Sequence, residues 1–363
     1  MRNKVIMSIL SVALIAGLVL VGCAKPATPE VEAPPEEEAP VEVEVIEWRF
    51  HSPHTEQRTE YALQLDWANM ISEATNGRLK VTIYPGGALG FKDADMLRVV
   101  GQEATIESFL ACPNYVTRDE PALSVLMPHG CGVFVSREEV QKMMPVAIEE
   151  GEKLYAEWGI RLLNWYPTPA CYTGIAAVEP LNSLETMKGK KIRCYDVIQA
   201  SAFRSLDVAA EVYPQADIYL NMKTGVSDAA VGYPTMVKNL SLQDVANYYS
   251  LFTVNTVPTG PAVNEEVFQA LPADLQEIVL RVSKEHQEKY IKSCIDCSQD
   301  EADLAWIENE TSVIILPAFS EEDKAVFSAA AFAAWKAKAE EYGPKAVEVQ
   351  RIMQAELERI RAG

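Results

Sequence analysis

Apolar residues alternate with polar ones at Ile46, Trp48 and Phe50, with Glu47 and Arg49 between them, which is the two-residue period of a strand burying one face. After the polar stretch 51–55 the period lengthens. Leu63, Trp67, Met70, Ile71 and Ala74 recur at helical spacing, and Asn76-Gly77 supplies a left-handed stop. Leu79, Val81 and Ile83 alternate again until Pro85-Gly86-Gly87 ends the run. Strand, helix and strand in this order predict a βαβ unit, and hence an α/β fold with a mostly parallel sheet flanked by helices. Downstream, 160–163 and 191–195 read as short buried strands, while 137–157, 198–207, 217–225, 265–308 and 321–361 read as helices. Asn264 and Ser320 stand before acidic residues as N-caps do. Leu271-Pro272-Ala273-Asp274 breaks the 265–308 stretch, with Pro272 at a first-turn position.

The first residues read differently. Arg2 and Lys4 precede an apolar run over 5–21, and Leu20-Val21-Gly22-Cys23 closes it. This predicts a lipoprotein export signal over 1–22, cut before Cys23, whose thiol takes a diacylglyceryl group. The mature chain then lies outside the cytoplasm, held to a bilayer by lipid at Cys23; an uncleaved anchor would leave the compartment unchanged. Residues 23–45 hold five prolines, seven glutamates and one lysine, a composition that stays extended and serves as a tether.

Removing the two positive charges of 1–22 takes the formal charge from -20 to -22, and removing the net -6 of 23–45 leaves -16 on residues 46–363. Nucleic acid is excluded as a partner, since phosphate binding needs a basic face. The 318 residues from 46 to 363 exceed what one core usually holds, so two lobes are expected.

Six cysteines remain beyond Cys23: Cys112, Cys131, Cys171, Cys194, Cys294 and Cys297. Unpaired thiols, a local or long-range disulfide, and metal or redox chemistry all stay open, although Cys294-x-x-Cys297 has no further metal ligands near it. The nucleophile, phosphate-loop, zinc-protease and dinucleotide motifs are missing, and no cofactor is expected. His51-x-x-His54 follows the first strand, where a loop can contact a ligand or be ordinary polar surface. In 181–196, LNSLETMKGKKIRCYD, Leu184 and Met187 suggest a helical turn ended by Gly189, and Ile192 begins a strand that carries Arg193 next to Cys194. An arginine among apolar neighbours at a strand end is costly to bury unpaired, so it needs an internal carboxylate or a ligand anion.

Trp48-x-Phe50, Trp67-Ala68 through Thr75-Asn76-Gly77-Arg78-Leu79-Lys80-Val81, and Tyr84-Pro85-Gly86-Gly87-Ala88-Leu89-Gly90 resemble, in order and spacing, the solute-binding proteins of TRAP transporters, the DctP family. Lys188-Gly189-Lys190-Lys191-Ile192-Arg193, Asp217-x-Tyr219, the run Lys223 to Ala229 and Val267-Phe268-x-x-Leu271-Pro272 are similar to later motifs of that family. The likeness covers roughly residues 46–345. It implies a two-lobed, periplasmic-binding-protein-like fold with long connecting and C-terminal helices, the lobes being 46–170 plus 258–297 and 171–257 plus 298–363. It also implies closure on a small organic acid, which is delivered to TRAP permease subunits; the departures from the family pattern given next favour a monocarboxylate.

In this resemblance Arg193 falls on the carboxylate-reading arginine. Thr173, twenty residues earlier, stands where some relatives carry a second arginine; Gly232 replaces a common asparagine and Gln215 a common aromatic. The pocket is thus expected to keep a single cationic anchor, with an apolar ligand body resting on some of Tyr172, Tyr213 and Tyr233. Asn114 and Tyr115, in a first-lobe loop, are further candidate contacts, and Trp165-Tyr166 line the cleft or pack the hinge. A receptor of an ABC-type importer or of a sensor shares the lobed shape, and a secreted hydrolase is the enzymatic alternative.

Overall fold

A computed structural model describes residues 45–128 and 130–363. The predicted export signal, Cys23 and the tether up to residue 44 lie outside the described residues. Among these no helix is long and apolar enough to cross a membrane.

The opening unit forms as the periods predict. β1 (Ile46–His51), α1 (Thr59–Ala74) and β2 (Leu79–Tyr84) make a βαβ turn, the strands parallel with Ile46 opposite Leu79 and His51 opposite Tyr84. Trp48, Phe50, Trp67, Ile71, Leu79 and Val81 share one core, so strand and helix bury matching faces. Each such side chain contributes roughly 1.5–3 kcal/mol of burial, against the entropy of ordering it. The chain continues through β3 (Ser108–Ala111), α2 (Pro121–Ser124), α3 (Arg137–Ala156), β4 (Ile160–Leu162) and β5 (Tyr166–Pro167). It then crosses to β6 (Tyr172–Ala177), α4 (Leu184–Met187), β7 (Lys191–Cys194), α5 (Val197–Arg204), β8 (Ala209–Val212), α6 (Ile218–Lys223), β9 (Ala229–Gly232), α7 (Pro234–Asn239) and β10 (Tyr248–Val254). A second crossing returns it to β11 (Pro258–Asn264), α8 (Glu265–Gln269) and α9 (Ala273–Ser293). A third leads to α10 (Ser298–Glu310), β12 (Ile314–Ile315), α11 (Glu321–Tyr342) and α12 (Pro344–Ala362).

Two sheets result, giving the two-lobed α/β architecture. The first has the order β2-β1-β3-β11-β4, with β5 also on β11; the second runs β12-β10-β6-β9-β7-β8. β1, β2 and β3 are parallel, as are β7, β8 and β9, while β11 and β6 run against them. The carboxyl ends of the parallel strands therefore share an edge with the ends of β6, β10 and β11 that carry the chain between lobes. In open α/β sheets that edge is where ligands sit.

α12, expected with the second lobe, packs instead on α2 and α3, while α11 packs on α5. The C-terminal pair thus straddles both lobes. The 321–361 stretch is two helices, because Gly343 at φ +100° takes a conformation other residues rarely adopt and Pro344 starts the next helix. Trp335 anchors α11 by donating Nε1–H to the Val125 carbonyl at 2.8 Å.

Candidate functional site

β7 lies between β8 and β9, so Ile192 and Cys194 point into the large core and Arg193 projects from the opposite face, in register with Ala230. Its side chain is buried, 5% exposed, yet no carboxylate lies within 4 Å among the described residues. Nε donates to the Tyr213 carbonyl at 3.3 Å and Nη1 to the Val231 carbonyl at 3.4 Å, and Nη2 makes no hydrogen bond among the described residues. Both contacts are long for a charged donor. The guanidinium carbon stands 5.0 Å from the Tyr195 ring centre.

Tyr195, just past β7, stacks on Tyr233, just past β9, at 5.3 Å. Tyr195 donates its hydroxyl to Met236 Sδ at 3.4 Å. Met236 also fills the space beside Gly232, where an added Cβ would meet its Cε and Sδ at 3.1 Å. Position 232 thus has sulfur and methyl beside it where a polar side chain would need room. Burial raises the Tyr233 phenol, and the charges of Glu60 and Arg58 of the first lobe act on it as well. The two lobes meet at this ring.

On the first-lobe side, the loop after β1 supplies the polar wall. His51 pairs with Asp93 through Nε2 at 2.8 Å, and its buried Nδ1 has no hydrogen-bond partner among the described residues. Burial pushes His54 down to about 4, so at pH 7 it is a neutral ring whose Nδ1 accepts from Gln64 at 3.1 Å. Arg58, which the residue patterns did not single out, lies at the foot of α1. It makes a two-pronged pair with Glu60, Nε at 3.1 Å and Nη2 at 2.6 Å. Its charge acts on Tyr115, whose phenol burial raises well above its ordinary value. A second guanidinium thus lies on the first-lobe side, already paired with Glu60. The one available signal was the Arg58-x-Glu60 run at the start of α1, seven residues past the end of β1.

The remaining candidates divide. Asn114 and Tyr115 form a half-buried turn after β3, on the Arg58 side. Tyr213 gives its carbonyl to Arg193, and its hydroxyl is taken up by Ser227. Thr173 lies on the other face of the second sheet, alongside Ile175, with its buried hydroxyl unpartnered among the described residues and close to Gly130. Gln215 lines a depression with Tyr219, Asn239 and Asp244. Tyr172 sits half-buried at a crossing. Trp165 and Tyr166 are fully buried against first-lobe partners, Trp165 donating to the Ala111 carbonyl at 3.2 Å and Tyr166 packing on His286 and Tyr290.

One knot holds all three crossings. Arg137, at the start of α3, donates to Thr168 O at 2.9 Å, Asn255 O at 2.7 Å and Cys294 O at 2.8 Å, one carbonyl per crossing. Unlike Arg193, it uses every side-chain nitrogen on the protein itself. A disulfide joins Cys171 to Cys297, first crossing to third, and closes the question left open by the cysteine count. Cys112, Cys131, Cys194 and Cys294 are buried free thiols. Asp300 accepts the backbone amides of Cys171 and Tyr172 at 2.8 and 2.7 Å.

A profile of the bacterial extracellular solute-binding protein, family 7 (DctP), matches residues 50–341. The chain belongs to this family. A solute-binding protein of Albidiferax ferrireducens is 25% identical over 293 residues, 77% of this chain and 80% of its own length. A monocarboxylate 2-oxoacid-binding periplasmic protein of Nostoc sp. is 27% identical over 223 residues, 58% of each chain. A TRAP periplasmic solute binding protein from Rhodoferax ferrireducens with bound malonate is similar in fold, with a TM-score of 0.72, 21% identity, and coverage of 86% of this chain and 99% of that one. As a family 7 solute-binding protein, the chain is an extracytoplasmic receptor of the TRAP type. Arg193 stands near the carboxyl end of β7, at the edge where open α/β sheets generally take ligands.

Proposed function

We propose that this receptor captures a small monocarboxylate between its lobes, with Arg193 as the carboxylate anchor, and hands it to a TRAP permease without chemical turnover. The lobes are 46–170 plus 258–297 and 171–257 plus 298–363, with α12 strapped across to the first, and lipid at Cys23 holds the receptor to its membrane. The supporting observation is the state of Arg193. It is buried, carries no carboxylate partner within 4 Å among the described residues, and spends two donors on long carbonyl contacts. A guanidinium left this way costs free energy that a bound carboxylate recovers. The likeness to a receptor for monocarboxylate 2-oxoacids agrees with the same chemistry. Tyr195 and Tyr233, rather than Gln215, offer the apolar surface for the ligand's body.

Ligand contacts to both lobes favour the closed arrangement, and closure excludes water around the anchor. Mass spectrometry of ligand retained on the purified protein identifies the acid. Titration calorimetry then compares Arg193→Ala with the native protein. Two charged hydrogen bonds at about 1.5–3 kcal/mol each predict a loss of affinity of 100-fold or more. The melting temperature without ligand should stay within a few degrees. An unchanged dissociation constant rejects the anchor and with it the carboxylate reading.

A further inference from the structure

The Arg58–Glu60 pair is an unusual use of buried charge. Its side chains are 13% and 6% exposed, so both ions have given up most of their hydration. A buried pair of this kind returns little net stability and often loses to apolar replacements. Nor does it tie distant elements together, since its members are two residues apart at the start of α1. It faces the seam between lobes. Arg58 acts on Tyr115 and Tyr233, Glu60 acts on Tyr233, and Glu60 lines a small cavity with Ala170, Thr235 of the second lobe and Asp300. Arg58 Nη1 makes no hydrogen bond among the described residues.

We propose that Glu60 sets the charge of the acid this receptor accepts. By neutralising Arg58 it leaves the cleft one uncompensated positive charge, that of Arg193, so monoanions are selected over dianions. This rests on the reading of Arg193 as carboxylate anchor. Burial pushes the Glu60 carboxyl up, but Arg58 and then His54 more than offset that and bring it down to about 2, so the cancelling charge persists at every physiological pH. The other charged groups near the seam are compensated or screened. His54 is neutral, Asp93 holds His51 and is 40% exposed, Asp300 and Arg137 act on one another, and Asp303 is bonded by Gln299 with Lys238 nearby. A second carboxylate brought to Arg58 finds Glu60 already there and is repelled as much as attracted.

The test is a charge ladder on the purified full-length protein. Calorimetry is run with matched acids: propanoate and malonate, butanoate and succinate, benzoate and isophthalate. The native cleft carries net +1 from Arg193 with the Arg58–Glu60 pair, Glu60→Gln carries +2, Arg58→Gln carries 0, and Arg58→Gln with Glu60→Gln together returns to +1. The native protein and the double variant should prefer the monocarboxylate of a pair. Glu60→Gln should shift the ratio toward the dicarboxylate by about tenfold or more, and Arg58→Gln should weaken the monocarboxylate by about tenfold or more, as one charged hydrogen bond gained or lost implies.

A dicarboxylate ratio in Glu60→Gln within twofold of native overturns the proposal, as does a native preference for dicarboxylates or the absence of any binding by all four proteins. Melting curves report folding. Should Glu60→Gln fail to fold, the comparison of Arg58→Gln with the double variant isolates the Glu60 charge, and equal monocarboxylate affinities overturn the proposal. Arg193→Ala run beside the ladder separates the two readings. Binding that depends on Arg193 but ignores Glu60 removes the filter alone, whereas binding that survives Arg193→Ala removes the anchor as well.

Discussion

Gly174 permits the closest approach in the second sheet. A Cβ there would lie 2.3 Å from the Tyr249 hydroxyl and 2.6 Å from the Ser250 carbonyl, and Tyr249 uses that hydroxyl to donate to Gly232 O at 3.0 Å. Gly174→Ala must push a fully buried ring and a backbone carbonyl, so a cost of about 2–3 kcal/mol is expected. Urea denaturation should show this as a lower midpoint with an unchanged slope. A loss below about 0.5 kcal/mol would mean that β10 yields more easily than its packing suggests. The same close packing explains how much of the site was legible. Arg193 could be picked out because a charged residue between Ile192 and Cys194 breaks an apolar strand pattern, a purely local signal. Arg58 sits in a polar loop, where arginines and glutamates are unremarkable, and its meaning depends on Tyr233, far away in sequence. Thr173 and Gln215 were placed by residue count alone. Count does not say which face of a sheet a side chain takes, and Thr173 takes the face away from Arg193.

Elements with one wet face were readable and doubly buried ones were not. β1, α1, β2 and α3 follow alternation or helical spacing, because each buries one side and leaves a polar record on the other, whereas β7, buried from Ile192 to Cys194, is marked only by its arginine. β6, β9 and β11, reading YTGIAA, AAVG and PTGPAVN, are covered on both faces and hold small residues, Gly and Pro, so neither period survives. These are also the strands that flank the crossings, and the knot that ties them is made of backbone carbonyls, which leave no mark in a sequence. Its titratable member is Asp300. Burial pushes its carboxyl up to about 6, the amides of Tyr172 and Cys171 pulling the other way. An acid raised in the folded state binds a proton there before it does in the unfolded chain. Its stabilising contribution is therefore full below about 4 and is lost as pH rises through about 6. Two units amount to about 3 kcal/mol. His54 and His286, both lowered to about 4 by burial, act in the opposite sense, losing stability as pH falls from 6.5 towards 4, so the net curve hides the Asp300 contribution. Asp300→Asn isolates it. The stability of the native protein minus that of the variant, from denaturant titrations at pH 4 to 7.5, should fall by a few kcal/mol up to about pH 6 and then stay flat. Parallel curves across that window would show that the carboxyl does not titrate there.

At the scale of the whole molecule, an anion must reach one buried guanidinium on a body that carries a formal -16 over residues 46–363. The long-range field repels it and the cleft attracts it, and salt separates the two. At 10 mM ionic strength the screening length is about 30 Å, comparable with the protein, so the approaching ligand feels the whole acidic surface. At 150 mM it is about 8 Å, so distant carboxylates drop out while Arg193, enclosed between β8 and β9, keeps most of its influence. Association should therefore speed up as salt is added, the reverse of an electrostatically steered encounter. Stopped-flow tryptophan fluorescence with the ligand recovered from the protein should give an association rate constant at least about twofold higher at 150 mM than at 10 mM sodium chloride. The dissociation rate should change less, because the closed cleft excludes the added ions. A rate that falls with salt would mean that the local field of the cleft reaches past the protein's acidic exterior, and that the surface charge near its mouth is arranged against the global sign.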